Sequence, residues 1–172
     1  MKQKSIKILA IESSCDETAA AIIHMTCNTK HVTSLNIKSN IISSQVKLHA
    51  KYGGVYPELA SREHIKNILP VIQASLDESR VIRNSKFIIQ DAFDVIAVTT
   101  GPGLIGSLLV GVNTAKTFAY TLGKPIYSIN HMEGHIYANF VSTISNFPTF
   151  AKVSVGRQFP NKLKIVYRNF LL

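Results

Sequence analysis

Three strand-like stretches precede the first helical one in this sequence, and that order constrains the fold more than any single residue. Ile6 to Ile11 is a short apolar run, Ala19 to Met25 follows after a polar stretch, and Val32 to Ser43 has enough β-branched and apolar residues for a third strand. Strands joined this closely form a meander. The stretch Glu12-Ser13-Ser14-Cys15-Asp16-Glu17-Thr18 is then a hairpin turn. It sets hydroxyls and carboxylates at the end of a central strand, where ligands and metals are commonly held; ordinary turn chemistry accounts for it equally well.

The period then changes. Tyr52-Gly53-Gly54-Val55-Tyr56 is a loop, and Pro57 with Glu58 makes a good first turn for a helix over Leu59 to Ser79. Ile65, Ile68, Leu69, Ile72 and Leu76 form its apolar stripe, with Pro70 expected to kink or divide it. Glu58, Arg62, Glu63 and His64 either contact a ligand or form a solvated face. After a weakly patterned connection over Arg80 to Ala92, Asp94 to Thr100 reads as a buried strand. It runs through a glycine-rich turn, Gly101 to Gly106, into a helix ending near Leu122. That turn has neither the Lys-Ser/Thr of a P-loop nor dinucleotide-fold glycine spacing, so it is a weak phosphate signal. Ser107, Gly111, Ala115 and Ala119, four apart, let the sheet or a partner helix approach closely. Gly123 and Pro125 stop the helix, and Ile126 to Ile129 is a short strand feeding a last helix that frays by Asn146 and Pro148. Phe150 to Val155 and Leu163 to Phe170 are two further candidate strands. The fold class is therefore α/β: a three-strand meander, then alternating helices and strands. This is the ribonuclease-H-like unit, two of which make the actin-like ATPase (ASKHA) fold. In such sheets ligands sit at the carboxyl ends of the strands, where both the Glu12 to Thr18 turn and His131 fall.

His131 and His135 lie four apart, so on a helix two imidazoles point at one ion. Asn130 is a good N-cap and Glu133 falls at the third position of a capping box. Chance also produces such pairs, and two histidines are half a metal site. A zinc peptidase is excluded, because Met132 stands where those sites need Glu, and Glu133 is turned about 200° from the histidine face.

Composition narrows the class further. The chain has 172 residues, 46% of them hydrophobic and 17% charged, which suits one soluble globular domain. The run Ile8 to Ile11 is too short for a signal peptide, and no segment is apolar enough to span a membrane. Cys15 and Cys27 are expected to be free thiols in a cytoplasmic protein. The net charge is +9, and no acidic residue follows Glu133 while Lys152, Arg157, Lys162, Lys164 and Arg168 do. Such a segment favours contact with nucleic acid, or it is a solvated basic face.

Four stretches now stand in order: Ile8 to Thr18, His49 to His64, Gly101 to Lys116, and Asn130 to His135. Together they resemble the TsaD family, the enzymes that make N6-threonylcarbamoyladenosine beside the tRNA anticodon. The resemblance implies an acyltransferase that moves the threonylcarbamoyl group from threonylcarbamoyl-adenylate to N6 of that adenosine. It implies His131 and His135 as ligands of one iron (Fe2+) or zinc ion, and Asp16 and Glu17 as acidic residues supporting catalysis at the reaction centre. It also implies tRNA as substrate, TsaB-like and TsaE-like proteins as partners, and no membrane. The sister family TsaB shares the fold but lacks the paired histidines, which favours TsaD.

The likeness weakens late in the chain. Where the family has Val-Ser-Gly-Gly-His-Thr, a loop that binds the adenylate, this sequence has Val153-Ser154-Val155-Gly156-Arg157-Gln158. Ser154 and Gly156 are the positions carried over as substrate-binding; Val155 removes backbone freedom for close phosphate approach. Residues 1–150 are expected to form the ribonuclease-H-like domain and 151–172 a divergent basic tail. The family's second half, with the Asp that completes the metal site and most nucleotide contacts, is absent. A chain inactive alone follows from that. Two other readings compete: a non-catalytic module that pairs with a TsaB-like partner through the small-residue helix, and a ribonuclease-H-like nuclease using Glu12 and Asp94.

Overall fold

A computed structural model describes residues 4–27, 32–80 and 89–141. The candidate strands after Phe150, the tail 151–172, and Ser154 and Gly156 lie outside the described residues. The meander is β1 (Lys4–Glu12), β2 (Glu17–Cys27) and β3 (Val32–Ser44), each longer than the apolar run that marked it. β4 (Val95–Gly101) and β5 (Ile126–Asn130) lie parallel to β1, giving the sheet order β3-β2-β1-β4-β5. Antiparallel meander first, parallel crossovers after: this is the ribonuclease-H-like order the sequence predicts.

Side-chain alternation builds the core. In β1, Leu9 and Ile11 point to one face while Ala10 and Glu12 point to the other. Leu9 sits in register between Ile22 and Ile96, and Ile11 between Ala20 and Val98, all of them buried. Against these rows pack Ile68, Val71, Ile72 and Leu76 of α2 (Pro57–Glu78) and Ala115 of α3 (Ile105–Leu122). Each such aliphatic side chain contributes about 1.5–3 kcal/mol by leaving water. On the opposite face Ala10 lies in register with Ala21 and Ala97, and these alanines, with Glu12, Thr99 and Ile129, line a shallow cavity of about 170 Å³.

Two expectations need correction. Pro70 neither ends nor divides α2, which runs unbroken through it. The proline is on the solvent side, where the carbonyl it leaves unpaired meets water at little cost. Ile65 and Leu69 are 64% and 60% exposed. The buried stripe is instead Ala60, His64, Ile68, Val71, Ile72, Ser75 and Leu76, and the two exposed residues border a groove between α2 and α3 with Leu109 and Phe118. The small-residue row of α3 is spent internally: Ser107, Gly111 and Ala115 are buried, and a Cβ on Gly111 would come within 2.5 Å of Ser13 Oγ. Close approach there serves the chain's own core and first turn, one of the two uses the spacing allows.

A short helix, α1 (Val46–His49), and 3-10 turns at Ala50–Tyr52 and Ile89–Asp91 were not signalled by period, because each is a single turn. Gly111→Ala should displace Ser13 and lower the unfolding free energy by about 1–3 kcal/mol, read from urea denaturation of the purified chain. An unchanged midpoint would show that α3 does not press on the turn.

Candidate metal centre

No loop separates β5 from α4 (His131–Val141). Asn130 closes the strand and caps the helix at once: its Oδ1 accepts the N–H groups of Met132 at 2.9 Å and Glu133 at 3.2 Å. Two of the four free amides of the first turn are thereby satisfied. His131 is the first helical residue and His135 stands one turn on. Their Nε2 atoms are 2.9 Å apart and the rings meet edge to face, with centroids 4.4 Å apart.

That spacing can be tested against an ion. A metal about 2.1 Å from two nitrogens at a right angle sets them about 3.0 Å apart, and a tetrahedral angle sets them about 3.4 Å apart. The observed pair therefore fits two adjacent positions around one ion with little movement. Among the described residues no set of three or more His, Cys, Asp or Glu side chains comes together as a ligand group.

His131 also looks back into the protein. Its Nδ1 is 3.0 Å from Ser14 Oγ and 3.5 Å from Glu12 Oε2. Glu12 is itself engaged: Oε1 accepts the Ser14 N–H at 2.5 Å, and Oε2 accepts the hydroxyl of Thr99 at the end of β4. Burial pushes the Glu12 carboxyl up, but the bonds from Ser14, Thr99 and His131 outweigh it and hold the group below the ordinary glutamate value. It is a carboxylate at neutral pH.

The turn that presents these groups is fixed from three sides. Ser13 Oγ donates to the Ser107 carbonyl at 2.8 Å and accepts the Gly111 N–H at 3.1 Å. Leu104 N–H donates to the Ser14 carbonyl at 2.8 Å, and a Cβ on Gly103 would strike that same carbonyl at 2.6 Å, so only glycine lets the β4–α3 loop lie there. From α2, His64 donates Nε2–H to the Cys15 carbonyl at 3.0 Å, which leaves Nδ1 to accept the Thr18 hydroxyl at 2.7 Å. Gln45 N–H donates to the Asp16 carbonyl at 2.9 Å. Burial, with the nearby Asp16, Glu12 and Glu17 carboxylates, pushes the Cys15 thiol up, and Cys15 and Cys27 are both free.

Comparison with known proteins shows the family. The TsaD family, described as tRNA N6-adenosine threonylcarbamoyltransferase, matches residues 36–159. The chain belongs to the TsaD family. It is 49% identical over 158 residues to the tRNA N6-adenosine threonylcarbamoyltransferase of Clostridium novyi, covering 91% of this chain and 42% of that one. The enzyme of the same name from Dehalococcoides mccartyi strain CBDB1 is 49% identical over 144 residues, 83% of this chain and 40% of its own length. The chain thus spans about two fifths of the length of the curated relatives it matches. Among solved structures, YeaZ from Pseudomonas aeruginosa aligns over 81% of this chain and 49% of its own with a TM-score of 0.48 and 18% identity, too distant to bear on the site.

In this TsaD-family chain the structure brings His131 and His135 together, as their spacing predicts. Asp16 and Glu17 share the first turn with Ser14, but the carboxylate that reaches His131 is Glu12. Sequence reasoning passed over Ser14 and Thr99 as site residues and considered Glu12 only as a nuclease carboxylate paired with Asp94. The available signal was parity: Glu12 and Thr99 share a face with Ala10 and Ala97, near the carboxyl ends of β1 and β4. Glu12 and Asp94 cannot form a nuclease pair, since Asp94 Oδ2 accepts the Lys7 N–H at 2.7 Å at the opposite end of the parallel strands. Among the described residues no helix is long and apolar enough to cross a membrane. His64, expected as a ligand contact or a solvated residue, is fully buried and holds the turn.

Burial holds the His64 pKa below its ordinary 6.5, despite the Cys15 carbonyl and the Glu12 and Asp16 carboxylates that raise it. The folded chain keeps this imidazole neutral while the unfolded chain protonates it. Its stabilisation is therefore present above about pH 6.5 and lost as pH falls through the depressed folded pKa. Urea midpoints should drop between about pH 7.5 and about pH 5.5, and His64→Gln should lower stability at the upper pH by about 1–3 kcal/mol while flattening that dependence. Parallel pH curves for the two proteins would contradict this.

Proposed function

We propose that this chain is the histidine-bearing part of a metal-dependent tRNA threonylcarbamoyltransferase working in the cytoplasm. The single observation that carries the proposal is the 2.9 Å approach of two Nε2 atoms on a helix capped at the end of β5, in a chain of the TsaD family. The reaction joins the carbamoyl carbon of threonylcarbamoyl-adenylate to N6 of the tRNA adenosine next to the anticodon, with AMP leaving and one N6 proton lost.

His131 and His135 would hold the iron or zinc ion, which when bound polarises the carbamoyl carbonyl. The chain's own residues do the rest of what can be assigned to it. The α4 cap fixes where the two imidazoles stand, and the pinned first turn keeps its carboxylates at the rim of the cleft. Asp16 and Glu17 support the reacting centre from that turn, and Ser154 and Gly156 contact the adenylate. Positioning of this kind supplies rate by holding amine and carbonyl in one geometry.

The chain spans about two fifths of the length of its relatives; on this reading the remaining ligand and most nucleotide contacts come from sequence outside it. Purified 172-residue protein given threonylcarbamoyl-adenylate and tRNA should yield no modified adenosine by nucleoside mass spectrometry. It should still bind Zn2+ in a way that His131→Ala and His135→Ala each abolish. Modified adenosine made by the chain alone would refute the first statement, and zinc binding indifferent to both substitutions the second.

A second reading, a non-catalytic module paired with a TsaB-like protein, draws support from the groove of about 700 Å³ between α2 and α3, bordered by the exposed Ile65, Leu69 and Leu109. The same surface serves an enzyme that needs such a partner, with a TsaE-like protein joining the assembly. Leu69→Glu should abolish co-elution with a TsaB-like protein while His131→Ala leaves it intact; the reverse pattern would place the partner at the histidines.

A further inference from the structure

We propose that Glu12, held by Thr99 and by the Ser14 N–H, is a positioning residue that with the Ser14 hydroxyl keeps the proton of His131 on Nδ1, leaving Nε2 bare to face a metal ion. The proposal deepens the metal reading of the histidine pair and rests on it. Its basis is the set of atoms around Nδ1. Two oxygens face that nitrogen, Ser14 Oγ at 3.0 Å and Glu12 Oε2 at 3.5 Å. A carboxylate oxygen only accepts, so an unprotonated Nδ1 would set a lone pair against it. With Nδ1 protonated, both oxygens become acceptors and the bonds are charge-assisted.

The partners of Nδ1 are themselves locked. Glu12 has one oxygen on Thr99 and the other on the Ser14 backbone, so its carboxylate cannot rotate away without losing both. Ser14 is 3% exposed, with its carbonyl tied to Leu104 and its flank closed by Gly103. A glutamate serving structure alone would already be satisfied by Thr99 and Ser14; its second oxygen also faces the imidazole, the arrangement by which carboxylates orient metal-binding histidines.

One consequence can be checked without any ion. If His131 carries its proton on Nδ1, its Nε2 is an acceptor, and the 2.9 Å contact requires that His135 donate from Nε2–H. The two neighbouring histidines must then be opposite tautomers in the metal-free chain. A metal held by both Nε2 atoms would then require only the His135 proton to move, from Nε2 to Nδ1, with His131 ready beforehand.

Long-range 1H–15N spectra of the metal-free 172-residue chain, labelled at histidine and recorded above the imidazole pKa range, test this. The expected result is an Nδ1–H tautomer for His131 and Nε2–H for His135. Glu12→Gln, whose amide can donate to Nδ1, should shift His131 toward Nε2–H, and Ser14→Ala should mix the two forms. Zn2+ titration should show about 10–100-fold weaker binding in both variants. An Nε2–H tautomer of His131 in the unsubstituted chain overturns the proposal whatever the variants do. So does a well-folded Glu12→Gln protein with unchanged tautomer and unchanged zinc affinity. Expected tautomers with no zinc binding by the unsubstituted chain would instead remove the metal reading on which the assignment depends.

Discussion

The seven residues from Glu12 to Thr18 are polar, sit at the end of the central strand and are anchored by hydrogen bonds to α2, α3 and the β4–α3 loop. Every other feature of the site depends on those anchors. Buried Ser13 and His64 spend their bonding capacity between the turn and the helices beside it. The result is a turn held without a disulfide, with only Ser13 to Asp16 lying outside the flanking strands. Because Ser14 belongs to it, the surroundings of His131 are set by packing around Gly103 and Gly111.

Much of this was legible in the sequence. Strand-period runs, Gly123 and Pro125 as a stop, and Asn130 as a cap gave the element order, and the i, i+4 spacing gave the histidine pair. What periodicity could not convey was depth. Ile65 and Leu69 belong to the same nominal stripe as Ile68 and Ile72, yet lie on the solvent edge, because α2 meets the sheet through a narrower face that includes His64 and Ser75. Pro70 was misjudged for a related reason: its effect on a helix depends on whether the orphaned carbonyl is buried, and a sequence does not say.

The site was legible only in part. Histidine spacing is a local signal, whereas the contact of Glu12 with His131 joins residues 119 apart and exists only because β1, β4 and β5 lie side by side and parallel. Asp16 and Glu17 drew attention as the acidic pair within the turn, but strand alternation decides direction, and Glu12 is the carboxylate sent toward β4. His64 illustrates the same point from the other side. Among charged neighbours on a helix it reads as surface, and its burial follows from the turn folding back over it.

The direct junction of β5 and α4 has a mechanical meaning. With no connecting residues to flex, the first imidazole inherits its coordinates from the pairing of β4 with β5, including the irregularity that sets Asn130 opposite Gly101. A cation gripped there would be held to the sheet as stiffly as a strand residue is. Adaptability to ions of different radius would have to come from rotation of the imidazoles themselves, since the backbone that carries them has no connecting loop to take up slack.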